Sequence, residues 1–227
     1  MIKDLRPLTA EFVGTLLFVF LGAGSVAMLV ATAPQPNPVG ALGVALAHGV
    51  ALAIIVSMTI SISGGHINPA VTIGLWIADK IDGWQATKYI AAQLGGAVAG
   101  AALVKALLPR VAVSLALVGT PRLANDVTFL QGVWIEAVLT FFLVSAVFGT
   151  AVSAQAPRIA GFGIGLALFV SALVGGSLTG AALNPARAFG PALVAWQWTG
   201  QAVYWIGPLL GAALAAALWK AILLPKT

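Results

Sequence analysis

The sequence predicts an all-α integral membrane protein: six transmembrane helices plus two half-helices meeting at the bilayer midplane, in an inverted repeat of three spans plus three. Three observations predict it. Of 227 residues, 60% are hydrophobic and 7% charged, with a mean hydropathy of +1.04, which is too apolar for a soluble globule. Apolar runs recur at lengths close to the about 20 residues that a bilayer-spanning helix needs. The tripeptide Asn-Pro-Ala occurs twice, as Asn68-Pro69-Ala70 and Asn184-Pro185-Ala186, each after a glycine-containing run and between long apolar segments.

The first span is predicted at 8–31. It exceeds the roughly 7–15 residues of a signal-peptide core, so it reads as a retained helix behind a charged N-terminus. A second span follows at 40–62, and a third at 85–107. Between them, residues 69–78 are apolar but too short to cross. The second half repeats the order, with spans at 129–150, 159–176 and 200–224 and a short stretch at 185–195. Each short stretch starts at the Pro of Asn-Pro-Ala. Pro suits the first helical position because its missing N–H would be unpaired there, and Asn is a favoured N-cap. Ten helical residues cover about 15 Å, half of the roughly 30 Å hydrocarbon core, so two such pieces end to end would span it.

Residues 1–227 read as one transmembrane channel domain, with repeats at about 1–113 and 125–227 joined by a linker at about 114–124. Glu11-Phe12-Val13-Gly14-Thr15 is answered by Glu136-Ala137-Val138-Leu139-Thr140, and Gly65-His66-Ile67-Asn68 by Ala181-Ala182-Leu183-Asn184. Three spans per half is odd, so the second copy inserts upside down. Lys3, Arg6, Lys80, Lys88, Arg158, Lys220 and Lys226 then fall on one side, and Lys105, Arg110 and Arg122 on the other. That bias places both termini in the cytoplasm. The formal charge of +5 reads as topogenic rather than as a footprint for nucleic acid.

Non-helical backbone at membrane depth is tolerated where it lines a water-filled cavity or is packed in protein. Both half-helix N-termini would point at the centre, each carrying about half a positive charge, with the Asn68 and Asn184 amides as donors. Water there turns its oxygen to both amides and its hydrogens outward. This breaks the alignment that proton hopping needs, and the dipoles repel hydronium. Water is expected to pass, and protons and ions are not.

The residues Ala10-Glu11-Phe12-Val13-Gly14-Thr15, Ser63-Gly64-Gly65-His66-Ile67-Asn68-Pro69-Ala70-Val71-Thr72, and Thr179-Gly180 before Asn184-Pro185-Ala186-Arg187-Ala188-Phe189-Gly190-Pro191 carry a resemblance. The chain resembles the aquaporins of the major intrinsic protein family over essentially its whole length. The resemblance implies an hourglass fold, a homotetramer with one pore per subunit, and an outer selectivity filter of His48, Ala172, Ala181 and Arg187. It also implies pore-lining backbone at Gly64, Gly65 and His66, and structural support from Glu11 and Glu136, which accept hydrogen bonds from the Gly-rich segments. By residue type alone, His48 reads as a core histidine bonded to a carbonyl, the two glutamates also invite a proton-relay reading, and His66 is either a gate that titrates or a brace for the loop.

The strictest water channels resemble a different filter, with Phe at the His48 position and His at the Ala172 position. The combination here looks more like plant vacuolar aquaporins, several of which also admit ammonia or urea. Glycerol-conducting relatives usually have Asp where this chain has Ala188, and Ala192 with Tyr204-Trp205 resembles the water-channel pattern. The expected function is passive conduction of water with small neutral solutes such as ammonia, urea and hydrogen peroxide. A glycerol or small-polyol facilitator is the alternative, and a secondary active transporter a lesser one. A non-conducting structural protein would show bulky plugs where Ala172 and Ala181 stand.

No nucleophile with a base, metal-ligand cluster or phosphate loop points to an enzyme, a metal or a cofactor. The absence of Cys, with Ala181 where many relatives carry a mercury-reactive one, predicts conduction resistant to mercurials. Expected partners are the lipid bilayer, further copies of the chain and the permeating solutes. Minimal tails and short loops suggest a prokaryotic chain, hence a multi-pass protein of the cell (inner or plasma) membrane.

Overall fold

The computed structural model describes residues 2–32 and 37–225, with side chains from Leu5 onward. The Lys3 side chain and Lys226, used above for sidedness, lie outside the described residues. Nine α-helices are present among them, and no strand. The first half holds α1 (Ile2–Thr32), α2 (Pro38–Ser63), α3 (Pro69–Ile77) and α4 (Gly83–Leu107). A short α5 (Arg110–Leu115) follows. The second half holds α6 (Phe129–Val147), α7 (Phe162–Gly175), α8 (Pro185–Ala195) and α9 (Val203–Leu218). A π-helical turn extends α6 over Phe148–Val152, and another extends α9 over Trp219–Leu223.

Local sequence explains where the helices begin. Asn37, Asn68, Asp82, Thr128 and Asn184 cap α2, α3, α4, α6 and α8, each with a side-chain oxygen accepting a backbone N–H of the first turn. Packing then follows the repeat. In one half α1 lies against α2 and α4, and in the other α6 lies against α7 and α9, while α2 and α7 join the halves. The close crossings rest on glycine. A Cβ on Gly96 or Gly100 of α4 would enter the backbone of α1 at Phe12 and Leu16, and Gly207 and Gly211 of α9 stand in the same relation to α6. Each half-helix packs chiefly on the third span of the opposite half, α3 on α9 and α8 on α4. The halves are thus interlocked.

The predicted architecture is present, with corrections to its lengths. Among the described residues, five helices are long and apolar enough to cross a membrane. The fifth span is shorter than the predicted 159–176: α7 has 14 residues, about 21 Å of helix. Its chain keeps turning beyond Gly175, with the N–H groups of Thr179 and Gly180 bonded to the carbonyls of Gly175 and Gly176, until the left-handed Gly180 (φ 82°) redirects it. The helix α5, absent from the sequence reading, occupies residues assigned partly to the first repeat and partly to the linker.

Candidate functional site

The loops that precede the two half-helices are built alike. Glu11, fully buried on α1, accepts hydrogen bonds from the Ser63 hydroxyl (2.6 Å), the N–H groups of His66 (2.9 Å) and Ile67 (2.7 Å), and the Gln93 amide (2.8 Å). Glu136, fully buried on α6, accepts from the Thr179 hydroxyl (2.6 Å) and the N–H groups of Ala182 (3.0 Å) and Leu183 (2.7 Å). In both loops the hydroxyl also receives a backbone N–H, from Gly65 and from Ala181, at 3.1 Å. A tyrosine completes each brace: the Tyr89 hydroxyl donates to the Ser63 carbonyl, and the Tyr204 hydroxyl to the Thr179 carbonyl. A trans peptide sets the C=O of one residue opposite the N–H of the next. The N–H groups of Gly65, His66 and Ile67 face the brace, so the carbonyls of Gly64, Gly65 and His66 face away from it.

The half-helices meet at their N-termini. The Asn68 amide donates to the Leu183 carbonyl at 2.8 Å, and the Asn184 amide to the Ile67 carbonyl at 3.0 Å. Each Asn oxygen caps its own helix, Asn68 taking the Ala70 N–H and Asn184 those of Ala186 and Arg187. A carboxamide carries two N–H donors, so one remains on each Asn. Both Asn residues line a cavity, together with Gly65, His66 and Ala182; the facing wall is apolar, with Phe18, Val56, Leu143 and Leu168. The space open to the centre of a water-sized sphere is about 10 Å³. A single water needs about 10–15 Å³ on this measure, so the cavity has room for about one water.

Arg187, third residue of α8, is 2% exposed. Its Nη1 donates to the Gly119 carbonyl at 2.8 Å, and its Nη2 lies 3.2 Å from His48 Nε2. The other ring nitrogen of His48, Nδ1, is 2.9 Å from the Val44 carbonyl, which can only accept. Nδ1 therefore carries the proton and Nε2 accepts from the arginine. His48 combines both earlier readings, bonded to a backbone carbonyl and joined to Arg187. Ala181 is buried in a left-handed conformation (φ 44°). Ala172 is half-buried, one helical turn beyond Leu168 on the face of α7 that reaches the cavity. Pro69, Ala70, Pro185 and Ala186 form the buried first turns of the half-helices.

His66 Nδ1 lies 3.1 Å from the Thr72 hydroxyl, and its ring meets Tyr89 edge-on, so it braces the loop as well as lining the cavity. Among the described residues no group of three potential metal ligands occurs. Sequence reasoning left Ser63, Gln93, Tyr89 and Gly119 without roles. One signal was available: the chain has two tyrosines, Tyr89 and Tyr204, 21 and 20 residues after Asn68 and Asn184.

A profile of the family described as Major intrinsic protein matches residues 1–219. The chain is 42% identical over 234 residues to "Probable aquaporin TIP3-2" of Arabidopsis thaliana, across 98% of this chain and 85% of that protein. It is 42% identical over 228 residues to "Aquaporin TIP4-4" of Zea mays, across 97% of this chain and 88% of that one. The X-ray structure of the aquaglyceroporin from Plasmodium falciparum superposes with a TM-score of 0.84 at 23% identity, covering 96% of both chains. At that identity the likeness shows the fold.

Proposed function

Since the chain belongs to the major intrinsic protein family, we propose that it is a passive pore conducting water and excluding protons and ions. The observation that carries this reading is the pair of reciprocal hydrogen bonds, Asn68 to the Leu183 carbonyl and Asn184 to the Ile67 carbonyl, beside a cavity with room for about one water. Each Asn keeps one N–H for the permeant, and the two half-helix N-termini oppose cations there. The pore runs past the Gly64, Gly65 and His66 carbonyls to a filter of His48, Ala172, Ala181 and Arg187. Two alanines facing Arg187 leave room for ammonia, urea and hydrogen peroxide. The same room favours the second reading, a facilitator of glycerol or small polyols; Ala188 after the arginine favours water. The chain acts as a homotetramer in the cell membrane with both termini cytoplasmic, a placement supported by its lysine and arginine distribution.

Stopped-flow light scattering on proteoliposomes tests this. Water flux well above protein-free vesicles is expected, with measurable urea or ammonia flux and little for glycerol. Glycerol flux comparable to water would favour the second reading, and no flux for any solute would sink both.

A further inference from the structure

We propose that Gly22 and Ala23, adjacent residues of α1 that make no bond to Arg187, set the width of the outer constriction by holding both of its supports. The inference rests on the reading of His48 and Arg187 as part of that constriction. Arg187 is tied by two hydrogen bonds, one to the Gly119 carbonyl and one to His48 Nε2, and its Nε has no partner among the described residues. Its position is therefore fixed by where those two acceptors stand.

Both acceptors lean on α1. The His48 ring occupies the notch left by the missing side chain of Gly22: a Cβ there would come 2.6 Å from Nε2 and 2.8 Å from Cδ2, where ordinary contact is 3.4–4 Å. The ring has little freedom to yield on its other sides. Its Nδ1 is bonded to the Val44 carbonyl, and Phe18, one turn before Gly22, meets it edge-on at 6.0 Å between centroids. Gly119 ends a run of three left-handed residues, Leu117 (φ 48°), Val118 (φ 59°) and Gly119 (φ 74°), that aims its carbonyl at the arginine. It lies against Ala23, whose Cα and Cβ would each be 2.8 Å from a Cβ on residue 119. Ala23 is itself fully buried. Gly22 thus places the imidazole, Ala23 places the carbonyl, and the two together place the guanidinium. A methyl group at residue 22 would push the ring off α1, toward Arg187 and the lumen. Gly22 and Ala23 are positioning residues, acting through His48 and Gly119.

The test compares wild type, Gly22→Ala, His48→Ala and the double variant in proteoliposomes, reading urea and water permeability together. One misplaced methyl in a fitted pocket is worth about tenfold in discrimination, so Gly22→Ala should lower the urea-to-water ratio by about that factor. The double variant should return to the ratio of His48→Ala alone, because the obstructing ring is gone. A role in helix packing alone would lower both fluxes together and would not be relieved by removing the ring. An unchanged ratio in Gly22→Ala, or a double variant that keeps the ratio of Gly22→Ala, overturns the inference. If Gly22→Ala does not fold, the double variant must recover a monodisperse protein by gel filtration, and its failure to do so also overturns it. Wild-type vesicles no faster than lipid would instead overturn the channel reading, and the inference with it.

Discussion

Glu136 shows how much of this site is made by single side chains. It satisfies three buried donors, the Thr179 hydroxyl and the N–H groups of Ala182 and Leu183, in the loop that leads into α8. Each buried donor left unpaired costs about 1–3 kcal/mol, so Glu136→Ala should cost several kcal/mol, a large share of a typical folding free energy. The expected outcome is loss of the monodisperse peak and a thermal midpoint well below wild type, with Glu136→Gln intermediate because it keeps one acceptor. A Glu136→Ala protein as stable as wild type would remove the brace from the account. Ala181 supports a second prediction. The chain has no Cys, so mercuric chloride should leave wild-type flux unchanged, whereas Ala181→Cys should confer inhibition reversed by thiols if this position lies on the pore. Residues such as Glu11 and Glu136 were legible in the sequence because a carboxylate in an apolar span must find partners. Ser63, Gln93 and Gly119 were not. A hydroxyl in a helix ordinarily satisfies itself on the carbonyl four residues back, as Thr15 and Thr59 do here, and nothing in the sequence says that Ser63 reaches Glu11 instead.

The half-helices were legible almost to the residue, since Asn as cap and Pro at the first helical position mark a start whatever the tertiary context. Ends were less so. The length of α7, the helix α5 and the two π-helical turns depend on loop conformation and on packing such as the Phe148–Trp219 stack, which local pattern does not encode. The half-helix dipoles are complemented at their C-terminal ends only. Their N-termini face one another, and their C-terminal turns are met by lysines from the opposite half's third span: Lys220 Nζ bonds the Ile77 carbonyl of α3, and Lys105 Nζ the Val194 carbonyl of α8. Asn184→Asp tests the central charge. Asp is as good an N-cap, so α8 should persist, but the donor to the Ile67 carbonyl is lost. The new anion also offsets the roughly half positive charge of the helix terminus. Water flux should survive while a proton leak appears, read with a pH-sensitive dye in vesicles under a membrane potential. Vesicles as proton-tight as wild type would mean that the barrier lies elsewhere.

Across the molecule, the question is whether two inverted halves form a fixed pore or rock about a central site, since the same architecture serves alternating access. The bonds between halves decide. Asn68 holds the Leu183 carbonyl, Asn184 the Ile67 carbonyl, and Arg187 of the second half is tied to His48 of the first and to Gly119 before α6, all in buried surroundings. The crossing of α2 on α7 is as tight, with Gly49 and Gly165 each set against the other's carbonyl oxygen. Rocking one half against the other would break these bonds, at about 0.5–1.5 kcal/mol net for each where pore water can take over the freed groups, and more for the guanidinium. Four such bonds amount to roughly 2–6 kcal/mol, which leaves a rocked state populated at about one part in thirty or less at the lower bound. Among the described residues the fully buried acids are Glu11 and Glu136, held by four and three donors respectively. Flux through a fixed pore should therefore rise linearly with the osmotic gradient and be equal for swelling and shrinkage. It should be indifferent to an imposed proton or sodium gradient. Saturation with solute concentration, or flux that follows either ion gradient, would show that the halves move.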